Sequence, residues 1–211
     1  MLLSAMSAAR PYVHTSPAEF IRNPFVYPTP FTPCQGQRII VEVGPGRGDF
    51  LFHLARTNPQ AKVVGIEIKR KRTDKLIRRI ERFGFTNICL IQDDARQALP
   101  RFFPDGTVDE IHFNFPDPWP KNRHAKKRAV NQAFLEECAR VLKPGGTISI
   151  ATDHEPYASD IAQSASRVAG LISCYPEVIE VNTPQAFPTF FALKWRDQGR
   201  RITYQKYKRA D

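Results

Sequence analysis

From residue 38 onward, short apolar runs alternate with segments whose apolar positions recur at helical spacing, the pattern of strands followed by helices. An apolar strand ends near Val43, a helix is expected over about 49–57, a strand over 63–66, and a basic helix over about 69–83 with Gly84 as its stop. A strand over 88–91, a short helix around 96–103, the turn Pro104-Asp105-Gly106 and a strand over 108–113 come next. Beyond a proline-broken loop, Val130, Phe134, Leu135, Cys138, Val141 and Leu142 share one helical face, and Lys143-Pro144-Gly145-Gly146 turns into a strand over 147–151. Such alternation predicts a doubly wound α/β fold around a mostly parallel sheet. Residues 1–37 show neither period and carry Pro24, Pro28, Pro30 and Pro33, so they read as an irregular N-terminal arm ahead of one domain over 38–211.

Sheets of this kind bind ligands beyond the carboxyl ends of their strands, beside the switch in strand order. The first predicted strand delivers Glu42-Val43-Gly44-Pro45-Gly46-Arg47-Gly48-Asp49, a glycine-rich turn that opens a helix. Nucleotide loops of G-x-G-x-x-G spacing aim backbone N–H groups and a helix N-terminus at a pyrophosphate. Here Asp49 replaces the third glycine and Glu42 stands ahead of the first, so two carboxylates flank the turn. They repel a diphosphate and attract a ligand with an ammonium and a sulfonium, which points to S-adenosyl-L-methionine rather than NAD. Glu67 ends the next strand, about twenty residues on, the spacing of an acid that accepts from both ribose hydroxyls. Asp94 ends the third strand and is placed to meet an adenine amino group; alternatively Asp93 is the ligand and Asp94 a helix N-cap. The fourth strand delivers a loop beginning at Asn114, and the fifth delivers Asp153.

Charge narrows the partner. A formal net charge of +10 and a pI near 9.7 suit a polyanion, and the cations are clustered. Four widely spaced cysteines, Cys34, Cys89, Cys138 and Cys174, indicate neither a zinc site nor a disulfide framework, which fits a reducing compartment. No apolar run approaches membrane-spanning length and no signal sequence is evident, so the expectation is a cytoplasmic protein, monomeric or homodimeric.

The segment Phe113-Asn114-Phe115-Pro116-Asp117-Pro118-Trp119-Pro120-Lys121-Asn122-Arg123-His124 closely resembles the signature loop of the bacterial tRNA (guanine-N7)-methyltransferases. The resemblance spans about 41–208. It takes in the glycine turn, Gly65-Ile66-Glu67, Asp94-Ala95, Leu142-Lys143-Pro144-Gly145-Gly146, Ala151-Thr152-Asp153 and Thr189-Phe190-Phe191. It implies a class I, Rossmann-like methyltransferase with a seven-stranded sheet, S-adenosyl-L-methionine as cofactor, and a guanine of the tRNA variable loop as substrate. Gly44, Gly46 and Gly48 then join Glu42, Glu67 and Asp94 at the cofactor, and Lys121, Asp153 and Thr189 become substrate-side residues. One position departs from the pattern: Ala192 stands where the family has a glutamate three residues after the threonine.

Guanine N7 presents an in-plane lone pair, so its methylation needs alignment rather than prior deprotonation, and no metal. A fixed carboxylate stabilises the charge that the purine gains. Asp117 is the candidate, touching both cofactor and base, because Pro116 and Pro118 restrict the backbone around it. Trp119 is either a wall of the base pocket or a core aromatic. Arg123, His124, Lys126, Lys127 and Arg128 follow without an intervening acid and read as RNA contacts. The basic helix from Lys69 to Arg79 reads more readily as a solvated face. The rival functions are an exocyclic-amine methyltransferase, suggested by a faint N-P-P-Y likeness at Asn114, and an RNA-binding module without catalysis, suggested by Ala192. An NAD dehydrogenase is more distant.

Overall fold

The computed structural model describes residues 19–22, 36–120, 122–176, 180–181 and 189–211. The elements are β1 (Glu19–Arg22), β2 (Ile39–Val43), α1 (Asp49–Thr57), β3 (Lys62–Ile66), α2 (Arg70–Phe83), β4 (Ile88–Gln92), α3 (Ala95–Phe102) and β5 (Val108–Asn114). A 3-10 turn over Asn122–Lys127 precedes α4 (Gln132–Val141), β6 (Leu142–Thr152), α5 (Glu155–Ala165), β7 (Leu171–Ser173), β8 (Glu180–Val181), α6 (Phe190–Asp197) and β9 (Thr203–Arg209).

Seven strands run in the order β4-β3-β2-β5-β6-β9-β7; β1 adds beside β4, and β8 pairs with β9. The strands from β1 across to β6 are parallel, and β9 runs antiparallel to β6 and β7. The doubly wound expectation therefore holds. Part of the segment read as irregular is in fact ordered: Glu19–Arg22 forms a strand whose Phe20 is in register with Leu90. The rest of residues 1–35 lies outside the described residues.

Alternation along each strand sends side chains to two helical layers. Ile40, Val63, Ile88 and Leu90 meet Leu51, Leu54, Leu76 and Ile80 of α1 and α2. On the other face Ile39, Val41, Val64, Ile91 and Ile111 meet side chains such as Leu99, Leu135 and Ile161 of α3, α4 and α5. From the edge strand β1 the chain crosses to the central β2, winds outward through β3 to β4, then returns across the sheet to β5. Strand order therefore reverses between β2 and β5, where Val43 is paired with Phe113, and the crevice above that pair is the ligand position for this topology.

Candidate active site

The glycine turn lies directly above the switch point. Gly44, Gly46 and Gly48 have φ of 70, 55 and 84°, a region open to glycine but strained for other residues. Gly48 has a second reason to be glycine: a Cβ there would fall 2.4 Å from Leu76 Cδ2, so α1 could not start so close to α2. At Gly44, which borders the crevice, nothing lies within 4 Å of such a Cβ.

Two lobes that share a wall make up the crevice. The larger, about 230 Å³, is lined by residues that include Glu67, Ile68, Asp93, Asp94 and Trp119. The smaller, about 100 Å³, lies against residues that include Glu42, Gly46, Asp49, Thr189, Phe190 and Phe191. Gly44, Arg72, Asn114, Phe115 and Asp117 border both. Glu42, Glu67 and Asp117, supplied by three different strand ends, thus open onto one crevice.

Its acids differ in environment. Glu42 is 2% exposed, and burial pushes its carboxyl up to about 8; the Asn114 amide draws it partly back, while Asp49 and Glu67 add to the rise. Glu42 Oε2 and Glu67 Oε2 are both buried without a hydrogen-bond partner. Buried polar atoms are nearly always paired, so orphaned acceptors on a crevice wall are what a donor-bearing, cationic ligand would satisfy. Glu67 Oε1 is already fixed by the Lys69 N–H at 2.8 Å, while Oε2 has no hydrogen bond and lies 3.8 Å from Arg72 NH1.

Asp94 caps α3, accepting from the Arg96 N–H at 3.0 Å. The Arg96 guanidinium also donates to both carboxylate oxygens, and this bond holds the acid below its ordinary range. The N-cap alternative is thus realised, while Asp94 still lines the larger lobe beside Asp93, which is paired with Arg101 at 3.2 Å.

The proline-flanked loop is held in an unusual shape. Phe115 and Trp119, at φ 52 and 43°, are left-handed without being glycine, a conformation that persists only where surroundings enforce it. Arg128 does much of the enforcing. Its Nε donates to the Pro118 carbonyl at 2.9 Å, NH1 pairs with Asp160, and the guanidinium lies 5.1 Å from the Tyr157 ring centre. The Tyr157 hydroxyl in turn accepts from the Val130 N–H at 2.9 Å. This corrects the sequence reading of Arg128 as an RNA contact: it is 7% exposed, with Nε committed to the Pro118 carbonyl and NH1 to Asp160. Asp117 projects from the loop as an exposed residue.

Arg123, Lys126 and Lys127 are exposed beside the loop, with Lys127 Nζ 4.8 Å from the Trp119 ring centre. Trp119 is half-buried and lines the larger lobe, which favours the pocket-wall alternative. Lys121 lies outside the described residues, as does the side chain of His124. Thr189 caps α6, its hydroxyl accepting from the Ala192 N–H at 3.1 Å, and borders the smaller lobe. Ala192 is 1% exposed. Asp153 is not brought to either lobe; it pairs with Arg200 at 2.7 Å.

Residues 36–204 match the model of a family described as "Putative methyltransferase". The chain is 33% identical over 173 residues to a tRNA (guanine-N(7)-)-methyltransferase of Geobacter metallireducens, covering 82% of each chain. The chain belongs to the tRNA (guanine-N7)-methyltransferase family. A member from Thermotoga maritima is 35% identical over 164 residues, which are 78% of this chain and 51% of that protein. The chain thus spans about half the length of that relative. Among solved structures, the 16S rRNA methyltransferase KamB superposes with a TM-score of 0.61 at 16% identity, over 83% of this chain and 89% of that one. TrmN from Thermus thermophilus gives 0.60 at 19%, over 86% and 45%. At these identities the likeness concerns the fold, a class I methyltransferase sheet.

Sequence reasoning passed over one cation at the crevice and one that supports it. Arg72, assigned to a solvated helix face, borders both lobes with NH1 3.8 Å from Glu67 Oε2. Its position was the available signal, since the first turn of a helix that follows a strand end faces the crevice in a doubly wound sheet. Arg79, from the same helix, donates to the Arg47 carbonyl and pairs with Asp49 at 3.3 Å, which fastens α2 to the glycine turn.

Proposed function

We propose that this chain transfers a methyl group from S-adenosyl-L-methionine to N7 of a guanine in the variable loop of tRNA, with residues 38–211 as the catalytic domain and 1–37 as an arm. The observation that supports this reading is the convergence of the buried carboxylates Glu42 and Glu67, each with one oxygen that has no hydrogen bond, with Asp117 on one crevice at the switch point. When bound, the cofactor supplies an electrophilic methyl group on a cationic sulfur.

Glu42 and the glycine turn would hold the methionyl end, where an ammonium meets a buried acceptor and backbone approach is unobstructed at Gly44. Glu67 would accept from the ribose hydroxyls through Oε2, which has no hydrogen bond and only the longer ion pair with Arg72. Asp94 can face adenine while capping α3, because a carboxylate oxygen accepts more than one hydrogen bond. Asp117 borders both lobes and so would stand between cofactor and base. It would accept from guanine N–H groups and stabilise the positive charge that the ring gains on methylation at N7. Thr189 lines the base side, and Lys121 and Asp153 are carried over from the family pattern alone.

N7 in A-form RNA faces a deep, narrow groove, so the target must be unpaired or splayed out. Arg123, Lys126 and Lys127 lie where the backbone of such a nucleotide would pass. His124 belongs to the same stretch. Such a substrate places the protein in the cytoplasm, and no helix among the described residues is long and apolar enough to cross a membrane.

Incubation with methyl-labelled S-adenosyl-L-methionine and unmodified tRNA, followed by strand cleavage specific for N7-methylguanosine, tests the reading. A single break in the variable loop is expected. Label on an exocyclic amine would favour the amine-methyltransferase alternative, and RNA binding with no label at saturating cofactor would favour a non-catalytic binder.

A further inference from the structure

The first turn of α6 carries large apolar groups to the surface at the mouth of the smaller lobe. Phe190, Phe191 and Leu193 are 41%, 39% and 49% exposed, although scattered single exposures are the usual case. The rings form a row: Phe190 meets Phe191 edge-on at 5.5 Å, and Phe191 continues to Phe115 at 6.1 Å and Trp195 at 6.2 Å. Cations are interleaved with it. The Arg47 guanidinium lies 4.3 Å from the Phe190 ring centre, and Lys194 and Arg200 lie 4.7 and 4.0 Å from that of Trp195.

An interface with another protein copy would bring these positive charges against the same charges of its twin. Aromatic faces alternating with guanidinium and ammonium groups instead suit single-stranded nucleic acid, whose bases stack while its phosphates pair. Placement points the same way, since Phe190 and Arg47 border the lobe that also contains Asp117. Splaying a guanine out of the RNA strips its neighbour of a stacking partner, and an aromatic surface beside the pocket would replace it.

We propose that Phe190 and Arg47 form a clamp for the unpaired nucleotide adjoining the guanine presented to Asp117, its base stacking on the Phe190 ring and its phosphate meeting the Arg47 guanidinium that already lies 4.3 Å from that ring; this rests on the methyl-transfer reading above. Because every base has a stacking face, the clamp selects for an unpaired neighbour and tolerates any base there.

The test uses tRNA transcripts with 2-aminopurine at either neighbour of the target guanine, titrated with the full chain in the presence of S-adenosylhomocysteine. Stacking should quench the fluorescence at one of the two positions. Phe190→Ser should abolish the quench and weaken tRNA binding about tenfold, with cofactor affinity by calorimetry unchanged. Ile172→Ser, an equally exposed apolar residue on β7, should alter neither. The clamp is overturned if Phe190→Ser retains the quench, loses cofactor affinity in proportion, or converts a dimer to a monomer in sedimentation. Methylation of the wild-type reaction is scored in parallel. N7 product without quenching refutes the clamp alone, whereas quenching without N7 product refutes the methyl-transfer reading and leaves the clamp.

Discussion

Glu42 occupies a position where a neutral side chain would be more stable than a charge. Its carboxyl ionises near 4.5 in the unfolded chain but is pushed up to about 8 in the fold, chiefly by burial. Below pH 4.5 both states hold the proton. Between 4.5 and about 8 only the folded protein keeps it, so stability falls as pH rises through that window and levels off above it. Each tenfold change in proton affinity is worth about 1.4 kcal/mol, so this one group costs the cofactor-free protein several kcal/mol at pH 8. Glu42→Gln should therefore raise the melting temperature at pH 8, leave it little changed at pH 4.5, and lose at least about tenfold in cofactor affinity; thermal scans over this range with cofactor titrations check both. Glu67→Ala should chiefly weaken the cofactor. Asp117→Ala should lower kcat by about 100-fold with little change in cofactor affinity; equal losses of both constants in the two variants would contradict this division. The acids were legible because the glycine spacing and the strand ends fix where they stand. Arg72 and Arg79 were not, because a helix dense in cations gives no sign in its composition of which ones turn inward.

Among the elements, the loop between β5 and the 3-10 turn depends on an inward-facing cation. Arg128 ties the Pro118 carbonyl to Asp160, and the adjoining residues Phe115 and Trp119 keep strained backbones. A lysine cannot reproduce two directed bonds from one planar group. Arg128→Lys should cost about 1–3 kcal/mol of stability. It should also lower kcat with little change in the salt dependence of tRNA binding; a flattened salt slope would return Arg128 to the RNA surface. The sequence reading erred here because a run of cations looks the same whether its last member is solvated or folded under a loop. The β2-to-β6 alternation was legible because β2, β3 and β4 are short, largely apolar runs of buried parallel strand, while β5 and the later part of β6 keep apolar residues at alternate positions. The edge strand β1 was not, since a four-residue strand is defined by its partner β4 rather than by any period of its own. The C-terminal strands β7 and β9 likewise entered only through the family's seven-stranded pattern; Thr203–Arg209 mixes buried Thr203 and Tyr207 with several charged residues.

Over the whole molecule, a net charge of +10 accompanies a crevice whose innermost groups are acids. The two signs serve different ligands: exposed Arg123, Lys126 and Lys127 face outward beside the mouth, while Glu42 and Glu67 are buried within it. Replacing Lys126 and Lys127 with glutamine should weaken tRNA binding and reduce the slope of log affinity against log salt by about 0.7–0.9 for each phosphate no longer neutralised. An unchanged slope would remove them from the interface. The arrangement as a whole requires that a cation entering the crevice meet Glu42 as a carboxylate. Calorimetry of S-adenosyl-L-methionine binding at pH 7 in buffers of different ionisation enthalpy measures this directly. The wild type should release up to about one proton more per cofactor than Glu42→Gln. Equal proton release from the two proteins would mean that no cation reaches Glu42, and the cofactor site described here would be wrong.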